Sequence, residues 1–282
     1  MTNIELESEN QYEKILQEID ELLREEKIDE SNERIKSFIE ARLNRIREIT
    51  IPHEISTESN GFISGYIHPD SKVYRSRLFD PFMLDDDESY VELLKGLHAL
   101  KNSPTWKDRP LRSIVPAALL YSIANYFGIN YSVQNEPLNR QFYMDHTSVD
   151  SDPIHLRELK GKGLAVCPEI AGLAQNFATF LGTNSNLVLG ECKLDEKLKE
   201  EFHAYNILET ERGRFIVDFT NPVLIRDGEN SIVNFAPSVY PISEEDFEKI
   251  KSHQSIEVKH TNYLQEEGQT LPSEEVTRIY GG

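Results

Sequence analysis

Residues 163–182 read GLAVCPEIAGLAQNFATFLG, and Cys167 stands where this stretch turns from loop to helix. Proline is tolerated at the first helical position, where an N–H has no intrahelical acceptor, so Pro168 at that position makes Cys167 the N-cap. Ile170, Ala171, Leu173, Ala174, Phe177, Ala178, Phe180 and Leu181 then give a broad apolar surface at helical spacing, and Gly182 supplies the stop. The pattern predicts a buried helix with a fixed N-terminus. A thiol there faces unpaired N–H groups and the positive end of the helix dipole, which favour a thiolate and can also receive an oxyanion. Taken alone, a cysteine in apolar surroundings serves equally well as a small buried hydrophobe.

The residues that follow weigh towards chemistry. NLVLGEC (186–192), HAYNIL (203–208) and RFIVDF (214–219) are short β-like runs, and the last two read as an antiparallel hairpin. With Leu208 opposite Gly213 across a loop of Glu209 to Arg212, His203 falls opposite Asp218. His203, Tyr205 and Ile207 then share a sheet face with Asp218, Ile216 and Arg214, while Ala204, Asn206 and Leu208 share the other with Val217, Phe215 and Gly213. Asp218 can orient the imidazole while the other ring nitrogen meets a thiolate brought in by the helix, which is the nucleophile, base and orienter logic of a triad. The competing reading makes Cys167 core, His203 a satisfied strand histidine and Asp218 a turn former.

The order Cys, His, Asp, with the cysteine opening a helix, then NLVLG, HAYN and VDFTNP, resembles the transglutaminase-like superfamily. Its members show a cysteine before an alanine-rich helix, an HAW-type motif and a D-x-T segment, and the resemblance covers about residues 160–225. It implies an α+β fold in which the helix bearing Cys167 packs on an antiparallel sheet bearing His203 and Asp218, with extra N-terminal helices. It implies Cys167 as nucleophile, His203 as general base and acid, and Asp218 as the residue orienting His203; no cofactor and no metal are expected. The expected chemistry is acyl transfer from a peptide or protein amide through a thioester. Hydrolysis is expected, with γ-glutamyl cross-linking or a non-catalytic binding module as alternatives. Tyr205 stands where the motif usually has tryptophan, and Pro168 directly follows the cysteine. The resemblance also implies an upstream side-chain oxyanion donor, for which Gln141, Asn139 and Trp106 qualify by residue type.

Outside this stretch, apolar residues from Gln11 to Thr50 recur at helical spacing: Tyr12, Ile15, Leu16, Ile19, Leu22, Leu23, then Ile35, Phe38, Ile39, Leu43, Ile46. Two charged helices are predicted, with a cap at Asp29 or Ser31 and an end at Pro52. They form a hairpin packed on the body or, alternatively, a partner-binding arm. Residues 51–82 read as loops with one short strand, DDDES (85–89) as the acidic start of a helix, and the stretch after Pro110 as a buried helix ended by Gly128. The organisation expected is a helical hairpin over 1–52, a catalytic domain over 53–254 and a polar tail over 255–282 with one strand at IEVKHTNYL.

With 49 acidic against 30 basic residues and a net charge of −19 over 282 residues, nucleic acid and anionic membranes are poor partners, and a protein or peptide substrate is expected. No apolar run reaches about 18 residues and the N-terminus lacks the features of a secretory signal, so a cytoplasmic location is expected, with signal-less secretion as the alternative. Two cysteines, Cys167 and Cys192, make no disulfide framework. Cys167, Cys192, His203 and Asp218 lack the close pairs of a zinc site, and Asp145, His146, Asp150, Asp152 and His155 lack the alternation of a calcium loop. The final YGG reads as a plain polar end.

Overall fold

The computed structural model describes residues 9–24, 27–49, 55–56, 61–64, 73–74, 87–104, 107–130, 159–193, 201–210, 213–226, 232–259 and 277–280. Within them the chain is α+β, with six helices and a sheet built on an antiparallel meander. The N-terminal hairpin is α1 (Glu9–Leu22) and α2 (Glu33–Ile49). Its predicted apolar stripe is buried at Ile15, Leu16, Ile19, Leu22, Leu23, Ile35, Ile39, Leu43 and Ile46. Each fully buried isoleucine stabilises docking by about 1.5–3 kcal/mol, so Ile19, Ile35, Ile39 and Ile46 together weigh on the scale of a domain's whole net stability, about 5–15 kcal/mol. That burial puts the hairpin's apolar stripe in one core with the helices that follow it. The cap differs from expectation. Asn32 Oδ1 accepts from the N–H of Arg34 at 3.1 Å and of Ile35 at 3.4 Å, while Asp29 instead closes a local turn onto Ser31 N at 2.9 Å.

Helix α3 (Asp87–Lys101) starts in the acidic run, as its dipole favours, and α4 (Leu111–Phe127) lies between Pro110 and Gly128. Gly128 has φ +69°, and a Cβ there would lie 2.8 Å from the Gly161 backbone, so the chain can lay the 159–163 turn across the end of α4 only with glycine at that position. Gly161 N and Gly163 N donate to Tyr126 O at 2.9 Å and Phe127 O at 2.6 Å, which fixes the lead-in to α5 (Cys167–Phe180). The main core joins α1 to α5 with Leu208, Val217 and Phe219 of the sheet.

The remaining elements are β1 (Ile55–Ser56), β2 (Gly61–Ser64), β3 (Val73–Tyr74), β4 (Ser185–Lys193), β5 (Glu201–Thr210), β6 (Gly213–Arg226), β7 (Ile232–Ile242), α6 (Glu244–Lys251), β8 (Ile256–Lys259) and β9 (Thr277–Tyr280). Strands β1 and β3 pair in parallel; the other seven form one sheet in the order β7-β6-β5-β4-β9-β8, with β2 also on β4. Along β4, Ser185 to Cys192 pair with β5, and the opposite edge takes β2 at residues 186–189 and β9 at 192–193. Two strands, β8 and β9, therefore come from the segment where one was expected, and three short strands from residues 51–82 rather than one. The first and last strands of the order touch, so the sheet curls, and α6 and β8 cover its second face over Val188, Tyr205, Ile207, Ile216 and Tyr240. Among the described residues no helix is long and apolar enough to cross a membrane.

Candidate active site

Helix α5 begins one residue earlier than the proline implied. Val166, with φ −114° and ψ −175°, is the N-cap, and its carbonyl accepts from Ile170 N at 3.0 Å. Cys167 is thus the first helical residue and Pro168 the second, a shift the proline tolerates because no N–H in the first turn has an intrahelical acceptor. The N-terminus is also less open to anions than the sequence suggests. Glu169, itself buried, turns back so that its Oε2 accepts from Val166 N–H at 3.1 Å, which places a carboxylate against the positive end of the dipole. Cys167 is half-buried, and its own N–H, with no intrahelical acceptor, lies beside the thiol.

The hairpin of β5 and β6 is offset by two residues from the expected pairing. Thr210 faces Gly213, Leu208 faces Phe215 and Asn206 faces Val217, so the connection is Glu211 and Arg212 alone. An even offset keeps every side chain on its predicted face. Ile207 opposes Ile216 in the second core, whereas Leu208 and Val217 meet α5 in the first. His203 therefore lies diagonal to Asp218 rather than opposite it, a spacing long side chains still bridge. The ladder ends at Asn206 and Val217, so His203 sits beyond its last rung, where the β5 strand continues beside β4. Its ring stacks near Tyr205, centroids 6.4 Å apart and planes 23° apart, as residues on one face do.

His203 Nε2 lies 3.1 Å from Asp218 Oδ2, and both side chains are buried. Asp218 is held in turn by the turn it nucleates. Its Oδ1 accepts from Thr220 N at 2.9 Å and Asn221 N at 3.2 Å, and its Oδ2 from Asn221 Nδ2 at 3.0 Å. Residues 219–222 of β6 bulge out here against the single residue Pro237 of β7, since Asp218 pairs with Ser238 and Val223 already with Ala236. Ser238 Oγ closes the bulge by donating to Asn221 O. The DFTNP run thus carries two jobs, the orienting carboxylate and the turn that holds it. Asn221 is a site residue the hairpin reading missed, though an Asx-turn signature in D-F-T-N-P could have flagged it.

Burial opposes a charged imidazole, but the charge and hydrogen bond of Asp218, with further contributions from a hydrogen bond and charge at Cys167, raise the His203 pKa to about 10. Asp218 occupies Nε2, which leaves Nδ1 for the thiol. The three residues singled out from the sequence thus come together in the order thiol, imidazole, carboxylate. Cys192 stands in β4 opposite Glu201 and Tyr280. No group of three or more histidine, cysteine or acidic side chains among the described residues is placed to hold a metal ion. Trp106, Asn139, Gln141 and the acidic and histidine residues of 145–155 lie outside the described residues. Comparison of the chain with protein-family models, curated proteins and solved structures returns no match.

Proposed function

We propose that the chain is a cysteine-dependent amide hydrolase of transglutaminase-like type, acting on peptide or protein amides through a thioester. The observation that carries this reading is a single one: His203 is held by a buried carboxylate on one side and partnered by Cys167, at a helix N-terminus, on the other. An imidazole with a raised pKa is protonated at neutral pH, so His203 is the counter-ion a thiolate needs and then the acid the leaving group needs.

In the acylation step the thiolate sulfur bonds to the amide carbon and the carbonyl π pair moves to oxygen. The Cys167 N–H donates to that oxyanion. As the pair returns, the C–N bond breaks and His203 gives its proton to the departing nitrogen, leaving a thioester and a neutral imidazole. Water then gives a proton to His203, which becomes the imidazolium again, while its oxygen bonds to the thioester carbon; collapse breaks the C–S bond, releases the acid and expels the thiolate beside that imidazolium. Asp218 keeps Nε2 engaged throughout, so Nδ1 alone exchanges protons.

Brief iodoacetamide treatment of the native chain, followed by peptide mapping, tests the reading. Cys167 is expected to alkylate faster than Cys192 near neutral pH, and His203→Ala to abolish the difference. Equal, slow labelling of both cysteines in the folded chain would refute the nucleophile.

A further inference from the structure

Cys167, Ala171, Gln175 and Thr179 follow each other at intervals of four and form one row along α5. Two turns from the thiol, Gln175 reaches the sheet. Its Nε2 donates to Ser185 O at 2.8 Å, and its Oε1 accepts from Ser185 Oγ at 2.7 Å and from Asn206 Nδ2 at 3.3 Å. Asn206 Nδ2 also donates to Ala171 O at 3.1 Å, one turn from Cys167, and Thr179 Oγ1 donates to Gln175 O at 2.8 Å. Gln175, Thr179, Ser185 and Asn206 are all buried.

Contacts among leucine, alanine and phenylalanine are non-directional, so they resist separation of helix and sheet far more than a slide of one along the other. Hydrogen bonds are different. Each has a narrow range of distance and angle, and a buried polar group that loses its partner costs about 1–3 kcal/mol. The set formed by Gln175, Ser185 and Asn206 is met at one offset of α5 on β4 and β5 and lost at others. Asn206 joins the two halves of the site directly, because it bonds to the helix about 6 Å along the axis from Cys167 and lies three residues along β5 from His203.

We propose that Asn206, with Gln175, is a positioning residue that sets the offset at which the Cys167 thiol meets the His203 ring; its consequence for catalysis rests on reading Cys167 as the nucleophile. Neither residue touches the reacting atoms. A displacement of about 1 Å in such a pair can cost on the order of a hundredfold in rate.

The test is an NMR titration of the His203 ring in the full chain, with and without the substitution Cys167→Ala, in two backgrounds, wild type and Asn206→Leu. In the wild type, Cys167→Ala is expected to lower the His203 midpoint, because Cys167 helps to raise it. In Asn206→Leu the same substitution should leave the midpoint unmoved, and Cys167 alkylation should fall by about tenfold to a hundredfold. An equal shift in both backgrounds would overturn the proposal, since a merely structural Asn206 lowers thermal stability without uncoupling the pair. If Asn206→Leu does not fold, by circular dichroism, Ser185→Ala serves as the second background. It removes one bond, and a smaller loss of coupling supports the proposal while an undiminished shift overturns it. Failure of His203-dependent alkylation in the wild type would refute the hydrolase reading instead, and the titration still decides the positioning role.

Discussion

Replacing Asp218 by asparagine separates charge from turn. Oδ1 of the new side chain can still accept from Thr220 N and Asn221 N, so the bulge keeps its two backbone bonds. The amide nitrogen, however, replaces the oxygen that accepts from both Asn221 Nδ2 and His203 Nε2, and the carboxylate charge is gone. Burial then acts on the imidazole with only Cys167 to oppose it, and the His203 midpoint should fall well below its wild-type value of about 10. In the wild type the folded pKa, about 10, lies above the unfolded one. The pair's contribution to stability is therefore whole below about pH 6.5 and is lost as pH rises through about 10. Breaking a buried pair of this kind costs about 3–5 kcal/mol, so Asp218→Asn should destabilise by that amount at about pH 6 and by progressively less towards about pH 10. Urea unfolding of both proteins across this range measures the difference directly, and lysines and tyrosines that titrate in both cancel. A difference constant from about pH 6 to 10 would show that no imidazolium–carboxylate pair exists.

Three further outcomes follow from individual contacts. Arg42, buried on α2, donates from Nε to Phe180 O at 3.0 Å and from a terminal nitrogen to Thr179 O at 2.9 Å, at the negative end of the α5 dipole; Arg42→Met should cost about 2–4 kcal/mol in urea unfolding, and Arg42→Lys should recover only part of it, because lysine lacks the planar fork. Gly182, at φ +72°, has Ile15 Cγ2 3.0 Å from where a Cβ would stand, so Gly182→Ala should destabilise by about 1–2 kcal/mol or more, with Ile15→Ala, which removes that Cγ2, relieving part of the loss in a double-mutant cycle. Glu169→Gln keeps an acceptor for Val166 N–H but removes a negative charge two residues from Cys167, so Cys167 should alkylate faster at about pH 7 than in the wild type, and an unchanged rate would show that this carboxylate does not act on the thiol.

The amino-acid sequence by itself determined what depends on neighbours in the chain. The apolar spacing of Ile15 to Ile46 marked both helices of the hairpin and their buried face, Pro110 and Gly128 bounded α4, and Gly182 stopped α5. Alternation assigned His203 and Asp218 to one face, and the order of cysteine, histidine and aspartate named the three residues that meet. Only the tertiary structure decided the rest. The two-residue offset of β5 on β6 came from a shorter connection and from matching Ile207 with Ile216 and Leu208 with Phe215, contacts that neither strand specifies alone. Recruitment of residues 277–280 into the sheet depended on a β4 edge formed some 85 residues earlier, a rough span over which no local pattern reaches. The same holds for Arg42 on the end of α5 and Asn206 on its first turns. A polar side chain on an apolar face can be seen in a sequence, but its partner is chosen by where two separately legible elements come to rest against each other.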